Sequence, residues 1–173
     1  TRMMAGPADY TPGVFAFENP IIPGTRVHST LSNQLALFVV LYSPLQMACD
    51  KIENYEKHPA EFQFLRDVPC DWEQSRLLDG NIGQYVVMAR QDRHSEDWYI
   101  GAITNEEPRE ITIPLSFLGD GEWIATIYAD APDADWKTNP YATTIETRPV
   151  SATEEIKIHL ASGGGSAIRF VKR

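Results

Sequence analysis

The chain has 173 residues, of which 43% are hydrophobic and 23% charged, so it can bury the core of one domain, or of one small domain plus part of another. Its net charge of −9, without a local cluster of Lys and Arg, would repel phosphate backbones and anionic membranes, so neither nucleic acid nor membrane is an expected partner. The longest apolar run, residues 35–42, is too short to span a bilayer.

The first thirteen residues are rich in turn-forming Gly and Pro, and neither an initiator Met nor a secretion signal precedes them. We therefore expect the chain to be the C-terminal piece of a larger protein. Residues 14–17 have the composition of a strand end, and the Pro- and Gly-containing residues 19–24 predict an irregular loop.

A helix is predicted to begin at Leu31, because apolar residues recur at helical spacing through Tyr42. Ser29 or Thr30 can serve as its N-cap, since a hydroxyl oxygen there can accept a free backbone N–H. Apolar side chains occur almost all the way round this segment, which predicts burial on most sides. Pro44 ends the helix.

The apolar run of residues 45–50, directly after this helix, is typical of a buried strand in a parallel α/β unit. A second helix is predicted over residues 58–67, with Pro59 in its first turn and Glu61 near the positive end of the helix dipole. Residues 1–71 are therefore interpreted as part of an α/β structure whose remaining strands and helices lie elsewhere.

Beyond Cys70 the pattern changes to about eight short segments of period two, which predicts an antiparallel β-sandwich over residues 72–173. Asp79-Gly80 is a hairpin signal, and residues 98–104 are predicted to pair with residues 110–115 because they are close in sequence. The glycine-rich residues 162–166 predict a flexible hairpin loop.

Asp9 and Tyr10 are the first candidate site residues, because they follow a Gly-Pro turn of the kind at which barrel enzymes place polar side chains that touch substrate. The alternative is that Asp9 only caps the turn or pairs with Arg2. Asp50, at the end of an apolar run, carries the same two interpretations, and a stand-alone enzyme would need Asp9 and Asp50 as its carboxylate pair.

Two further groups of residues are candidates for metal binding. Asp130, Asp133 and Asp135 have the spacing of oxygen ligands for a hard cation, but their loop lacks the expected glycine and glutamate, which favours a solvated turn. The four histidines and the two cysteines, Cys49 and Cys70, show no zinc-ligand spacing, and the sequence leaves open whether the cysteines are bonded.

Aromatic residues are frequent in the second half of the chain and allow two interpretations. They could form a flat platform for sugar rings, or they could pack in the core of a small sandwich, and core packing is the commoner role. The residues concerned are Trp98, Tyr99, Trp123, Tyr128, Trp136 and Tyr141.

Several blocks occur in the same order as in a known family: TRMMAGPADYTPG, TLSNQLALFVVLYSPLQMACD, and the stretch from ENYEKHPAEF to HSEDWYIGAITNEEPRE. They resemble the end of glycoside hydrolase family 97. The resemblance implies an α+β fragment in which the last βα units of a (β/α)8 barrel, residues 1–71, precede an antiparallel β-sandwich domain, residues 72–173. It covers nearly the whole chain and is densest before residue 105.

The same resemblance implies function. Family members hydrolyse terminal α-glucosidic or α-galactosidic bonds of oligosaccharides with two carboxylates, and they bind calcium. The matching carboxylates and calcium ligands lie upstream of the first motif, so no catalytic or metal-binding residue is assigned in this chain, which is expected to be inactive alone. Asp9 and Tyr10 are expected to bind substrate.

Further expectations follow from the family: homo-oligomerisation, and a periplasmic or extracellular location. The alternative hypothesis is a non-catalytic module that binds glycan or mediates oligomerisation.

Overall fold

A computed structural model describes residue 4, residues 6–19 and residues 21–173, so part of the opening turn and one residue of the predicted loop at 19–24 lie outside the described residues. The helices are α1 Leu31–Val40, α2 Ile52–Tyr55 and α3 Pro59–Asp67. The strands are β1 Trp72–Asn81, β2 Tyr85–Asp92, β3 Trp98–Thr104, β4 Arg109–Pro114, β5 Glu122–Asp130, β6 Thr143–Ser151, β7 Glu155–Leu160 and β8 Gly165–Lys172. Among the described residues, no helix is long and apolar enough to cross a membrane.

The eight strands form two antiparallel sheets, as the sequence predicts for a sandwich. Six strands lie in the order β1-β2-β3-β8-β5-β6, and β4 pairs with β7 in a second, two-stranded sheet. Ile100 of β3, for example, lies opposite Ala89 of β2 and Ile168 of β8. The central strands β3 and β8 are therefore buried along most of their length.

The predicted pairing of residues 98–104 with residues 110–115 is wrong. β3 lies between β2 and β8, whereas β4 pairs with β7, where Ile111 faces Ile158 and Ile113 faces Ile156. The chain between β3 and β4 crosses from one layer to the other. Proximity in sequence does not determine the pairing, because the apolar sides of β4 and β7 are buried together against the larger sheet.

Two turn predictions are also corrected. β1 continues through Asp79 and Gly80, and the hairpin turn lies later, at Gly83, whose positive φ of 78° suits glycine. Residues 162–166 do not connect a hairpin, because β7 and β8 belong to different sheets. They pack inward instead: the Asp130 carboxylate accepts hydrogen bonds from the Ala161 and Gly165 amides at 2.9 and 2.8 Å.

One core lies between the two sheets. Trp98 and Trp123 are 3% and 2% exposed there, and Phe117 packs against both Trp98 and Phe170 with ring centroids 5.1 and 5.9 Å apart. The isoleucines of β4 and β7 complete the layer. Burial of so much apolar surface makes this core a main source of stability for the sheet region.

Helix α1 covers the opposite face of the six-stranded sheet, and the predicted buried helix and its cap are confirmed. The Thr30 hydroxyl accepts the Asn33 amide, and Leu31 and Leu35 are fully buried. The helix approaches the sheet closely at Gly101, where a Cβ atom would lie 2.5 Å from the Ala36 carbonyl oxygen. A glycine in a strand often marks such an approach of two backbones.

The N-terminal segments pack beside α1. Phe15 and Phe17 are nearly fully buried, and Phe64 of α3 contacts Tyr99 and Tyr128 of the sheet. Helix α3 confirms the predicted helix of residues 58–67, including proline in its first turn.

The two parallel strands expected before residue 71 are absent from the described structure. Residues 14–17 and 45–50 have no strand partner, and the bridge between Glu18 and Arg26 is isolated. Leu45 and Met47 are 69% and 42% exposed rather than buried. A strand requires a ladder of backbone hydrogen bonds with a neighbour, whereas among the described residues the backbone hydrogen bonds here are isolated ones, from the Val27 amide to the Phe17 carbonyl at 2.9 Å and from the Cys49 amide to the Pro12 carbonyl at 3.2 Å. The end of a barrel is therefore not evident.

Candidate functional site

The segment that carries Asp9 and Tyr10 runs past the C-terminal end of α1. The Ala8 amide donates to the Tyr42 carbonyl at 3.1 Å, and Asp9 is exposed to solvent. Tyr10 is partly buried, and burial together with the nearby Cys49 raises the pKa of its hydroxyl. A neutral phenol of this kind can donate a hydrogen bond to a sugar hydroxyl. Arg2, the alternative partner for Asp9, lies outside the described residues.

Helix α1 fixes the end of this segment through a polar side chain in an otherwise apolar surface. The Gln34 side-chain oxygen accepts the Gly13 amide at 3.2 Å and the Val14 amide at 3.0 Å. Tyr55 of α2 donates its hydroxyl hydrogen to the Gly13 carbonyl at 2.8 Å. Sequence reasoning missed this role of Gln34, because the residue occupies a position of the helical apolar pattern.

Asp50 holds the same segment from the other side. Its Oδ2 accepts the Phe15 and Ala16 amides at 2.8 and 2.7 Å, and its Oδ1 accepts the Lys51 amide and the Asn54 side-chain amide at 2.7 and 2.6 Å. Burial raises the pKa of Asp50, but these hydrogen bonds outweigh burial and leave the pKa below its ordinary value. The contacts favour the interpretation of Asp50 as a turn acid over its pairing with Asp9 as a catalytic carboxylate.

Two clefts open beside the Asp50 network. One, of about 680 Å³, is lined by Asp50, Cys49 and Arg26 among others. The second, of about 710 Å³, lies between residues 15–18 and the loop before β6, and His58 and Tyr141 form part of its wall. Asp9 and Tyr10 line neither of these two clefts.

Of the two interpretations of the six aromatic residues, core packing, the one that the sequence favoured, is confirmed for four. Trp98, Tyr99, Trp123 and Tyr128 are at most 5% exposed and belong to the core. The other two contact neighbouring rings: Trp136 packs on His28 with centroids 4.1 Å apart, and Tyr141 stacks on Phe17 and His58 at 4.9 and 5.0 Å.

The aspartates considered as cation ligands are used in other ways. Asp130 is 3% exposed and holds the loop after β7, and burial raises the pKa of its carboxyl. Asp135 accepts the Lys137 and Thr138 amides, each at 2.9 Å, and Asp133 accepts the Asn139 side chain. Among the described residues, no group of three or more His, Cys, Asp or Glu could hold a metal ion. Cys49 and Cys70 are free thiols.

A buried cation was missed by sequence reasoning. Arg90 of β2 is 3% exposed, and it donates hydrogen bonds to the Val39 and Val40 carbonyls at the C-terminal end of α1 and to the Ser75 hydroxyl. A cation is favourable at this end of a helix dipole, and the free carbonyls there need donors. A single arginine in an alternating strand gives no signal of this role.

The architecture is that of a small antiparallel β-sandwich domain whose larger sheet carries one buried helix. Residues 71–171 match the family model described as "Glycosyl-hydrolase 97 C-terminal, oligomerisation". A solved structure titled as a glycoside hydrolase family 97 enzyme in complex with acarbose, from Pseudoalteromonas sp. strain K8, superposes with a TM-score of 0.94 and 49% identity over 99% of the chain. The chain belongs to glycoside hydrolase family 97.

Two relatives are similar to nearly the whole chain. A retaining α-galactosidase of Bacteroides thetaiotaomicron is 36% identical over 98% of the chain, and a probable retaining α-galactosidase of Streptomyces bingchenggensis is 29% identical over 96%. The chain spans about a quarter of the length of each: 26% and 24% of these two relatives, and 27% of the Pseudoalteromonas structure.

Proposed function

We propose that this chain acts as the C-terminal part of an α-glycosidase that hydrolyses terminal α-glucosidic or α-galactosidic bonds. The main support is the superposition of 99% of the chain on one quarter of the Pseudoalteromonas family 97 enzyme. That enzyme is described in complexes with acarbose and with panose, whereas the Bacteroides relative is named a retaining α-galactosidase. Both bond types therefore belong in the assay.

The chain's own contribution would be to support and shape the sugar pocket. We assign residues 1–71 to the end of the barrel and residues 72–173 to the C-terminal domain. Gln34 and Asp50 fix residues 13–16, and we propose that Asp9 and Tyr10, just before them, contact the substrate through hydrogen bonds to sugar hydroxyls. Hydrolysis also requires a carboxylic acid and a second carboxylate on opposite sides of the scissile bond. Neither is assigned to this chain.

The family implies a calcium ion, but among the described residues no group of three or more His, Cys, Asp or Glu could hold a metal ion. We propose a periplasmic or extracellular enzyme, because oligosaccharide substrates are available there. This part of the proposal rests on the family resemblance.

A chimaera tests the proposal directly. In the Pseudoalteromonas enzyme, the quarter that superposes on this chain is replaced by residues 1–173, and hydrolysis of aryl α-glucoside and aryl α-galactoside is measured beside the isolated chain. We expect turnover by the chimaera with at least one of the two substrates and none by the isolated chain. A folded but inactive chimaera, or turnover by the isolated chain, would contradict the proposal.

We propose self-association as a second function, because the family model that matches residues 71–171 carries oligomerisation in its description. The two functions are compatible, since a domain on the outside of an enzyme can bind a second subunit without touching the substrate. Glycan binding by the sandwich, which the sequence also allowed, loses support because four of the six aromatic candidates are in the core.

A further inference from the structure

Among the described residues, the face of the six-stranded sheet that carries α1 is only partly covered beyond the C-terminal end of that helix, where Met4 also contributes to the lining. There, apolar side chains of the first three strands border a groove of about 350 Å³, which we call the hairpin groove. Its apolar lining includes Val40, Leu41, Leu77, Ile82, Val86 and Ile103. The groove continues a buried cluster formed by Val40, Val86 and Met88, so the core reaches the surface at this point.

Two large aliphatic side chains at the groove are strongly exposed. Leu77 of β1 is 65% exposed, and Ile82, at the tip of the β1–β2 hairpin, is 82% exposed. The other large exposed hydrophobic residues within the matched region are separate from this groove: Tyr141, Ile145 and Val171. The groove is thus the place where exposed apolar surface is concentrated in the region that the family description associates with oligomerisation.

The lack of charged side chains among its described lining residues makes the groove suitable for contact with a second copy of the same chain. Two copies that each carry a net charge of −9 repel one another over most approaches. None of the described residues that line the hairpin groove is an Asp, Glu, Lys or Arg. Copies that meet groove to groove therefore bring neutral, apolar surfaces together and bury no unpaired charge.

The edge of the sheet indicates how the copies would meet. β1 is an edge strand, but its register with β2 shifts between Trp72 and Gln74 and again between Leu77 and Asp79. Such bulges twist an edge away from regular pairing with another strand. Contact through side chains is therefore favoured over extension of the sheet from one copy to the next.

We propose that the hairpin groove is the self-association surface, in which two copies pack about a two-fold axis and Ile82 of each enters the groove of the other. This inference rests on the proposed self-association and names the surface that performs it. Because Leu77 and Ile82 lie at the centre of the contact, their side chains carry most of its binding energy.

Sedimentation equilibrium of the full chain tests the inference with Leu77→Asp, Ile82→Asp and the matched control Ile145→Asp. Ile145 is 41% exposed on β6, at the opposite edge of the same sheet. We expect dimers for the unchanged chain and for I145D, and a dissociation constant raised about 100-fold or more for I82D and L77D. Circular dichroism should show that every variant keeps its fold, because the replaced side chains are exposed.

The outcomes separate the surface from the function. If I82D and L77D dimerise as tightly as the unchanged chain, the groove is not the interface, although self-association stands. If the unchanged chain is a monomer at every concentration, both the groove and the proposed self-association are wrong. If I145D alone dissociates, the interface lies at the other edge of the sheet.

Discussion

At the scale of single residues, Asp50, one of the two carboxylates considered for catalysis, has the contacts of a structural group. Asp50 ends an apolar run, as catalytic acids in barrels do, yet its two oxygens accept four hydrogen bonds that tie residues 15 and 16 to α2. Four hydrogen bonds to one ionised group favour its charged form. We therefore expect Asp50 to matter for stability and its acid dependence.

Asp50→Asn is expected to lower the free energy of unfolding at pH 7 by about 1–2 kcal/mol, because charge-assisted hydrogen bonds become neutral ones and two N–H donors lose their shared acceptor oxygen. The folded-state pKa of Asp50 lies below its ordinary value, so its stabilisation is complete above that value and is lost as pH falls through the folded pKa. Urea denaturation between about pH 6 and pH 2 measures how the free energy of unfolding depends on pH.

Between about pH 6 and pH 2, Asp50→Asn should lose less of its free energy of unfolding than the unchanged chain does. Asp120→Asn, at an exposed position, serves as the control. Equal acid sensitivity of the unchanged chain and Asp50→Asn would show that the Asp50 network does not stabilise the fold.

The sequence predicts contacts between residues that are close in the chain, but it does not predict contacts between distant residues. The Thr30 cap is local, since a hydroxyl and an amide three residues apart suffice, and the sequence identifies it. Arg90 and Asp130 are different, because the backbone groups that they bind lie 31 to 51 residues away in the chain. Side-chain pattern within a strand contains no information about such distant partners.

At the scale of elements, predictions that depend on local pattern are confirmed, whereas a prediction about which strands pair is wrong. Helices α1 and α3 and the eight short strands follow from local periodicity and caps. The pairing of β3 with β8 depends on which apolar faces are buried together, and sequence proximity predicted the wrong neighbour. The apolar run of residues 45–50 shows the converse: a strand-like pattern does not become a strand where the described residues offer no second strand to pair with it.

Contact between α1 and the sheet requires glycine at Gly101. A Cβ atom there would lie 2.5 Å from the Ala36 carbonyl oxygen and 2.9 Å from Val39 Cβ, so Gly101→Ala must push the helix away from β3. Overpacking of this kind costs about 1–3 kcal/mol, and we expect the melting temperature to fall by several degrees.

Differential scanning calorimetry measures the change, with Gly6→Ala as control, because nothing lies within 4 Å of a Cβ atom at that position. Should Gly101→Ala melt at the same temperature as the unchanged chain, the close contact of helix and sheet would contribute nothing to stability.

At the scale of the whole molecule, the described residues form a folded sandwich and a buried helix, with an irregular N-terminal part anchored to them. The chain spans about a quarter of its relatives' length, which agrees with the absence of an assigned acid and base. Its proposed roles are therefore to shape one wall of the sugar pocket and to bring subunits together.

This chain is proposed to supply substrate contacts but not the catalytic acid or base. The most direct test is the pH dependence of kcat and KM for the chimaera carrying Asp9→Asn, beside the chimaera with the exposed Asp120→Asn. We predict that Asp9→Asn raises KM about tenfold while kcat keeps both limbs of its pH profile. Loss of one limb of the kcat profile, with KM unchanged, would identify Asp9 as an acid or base and contradict the account.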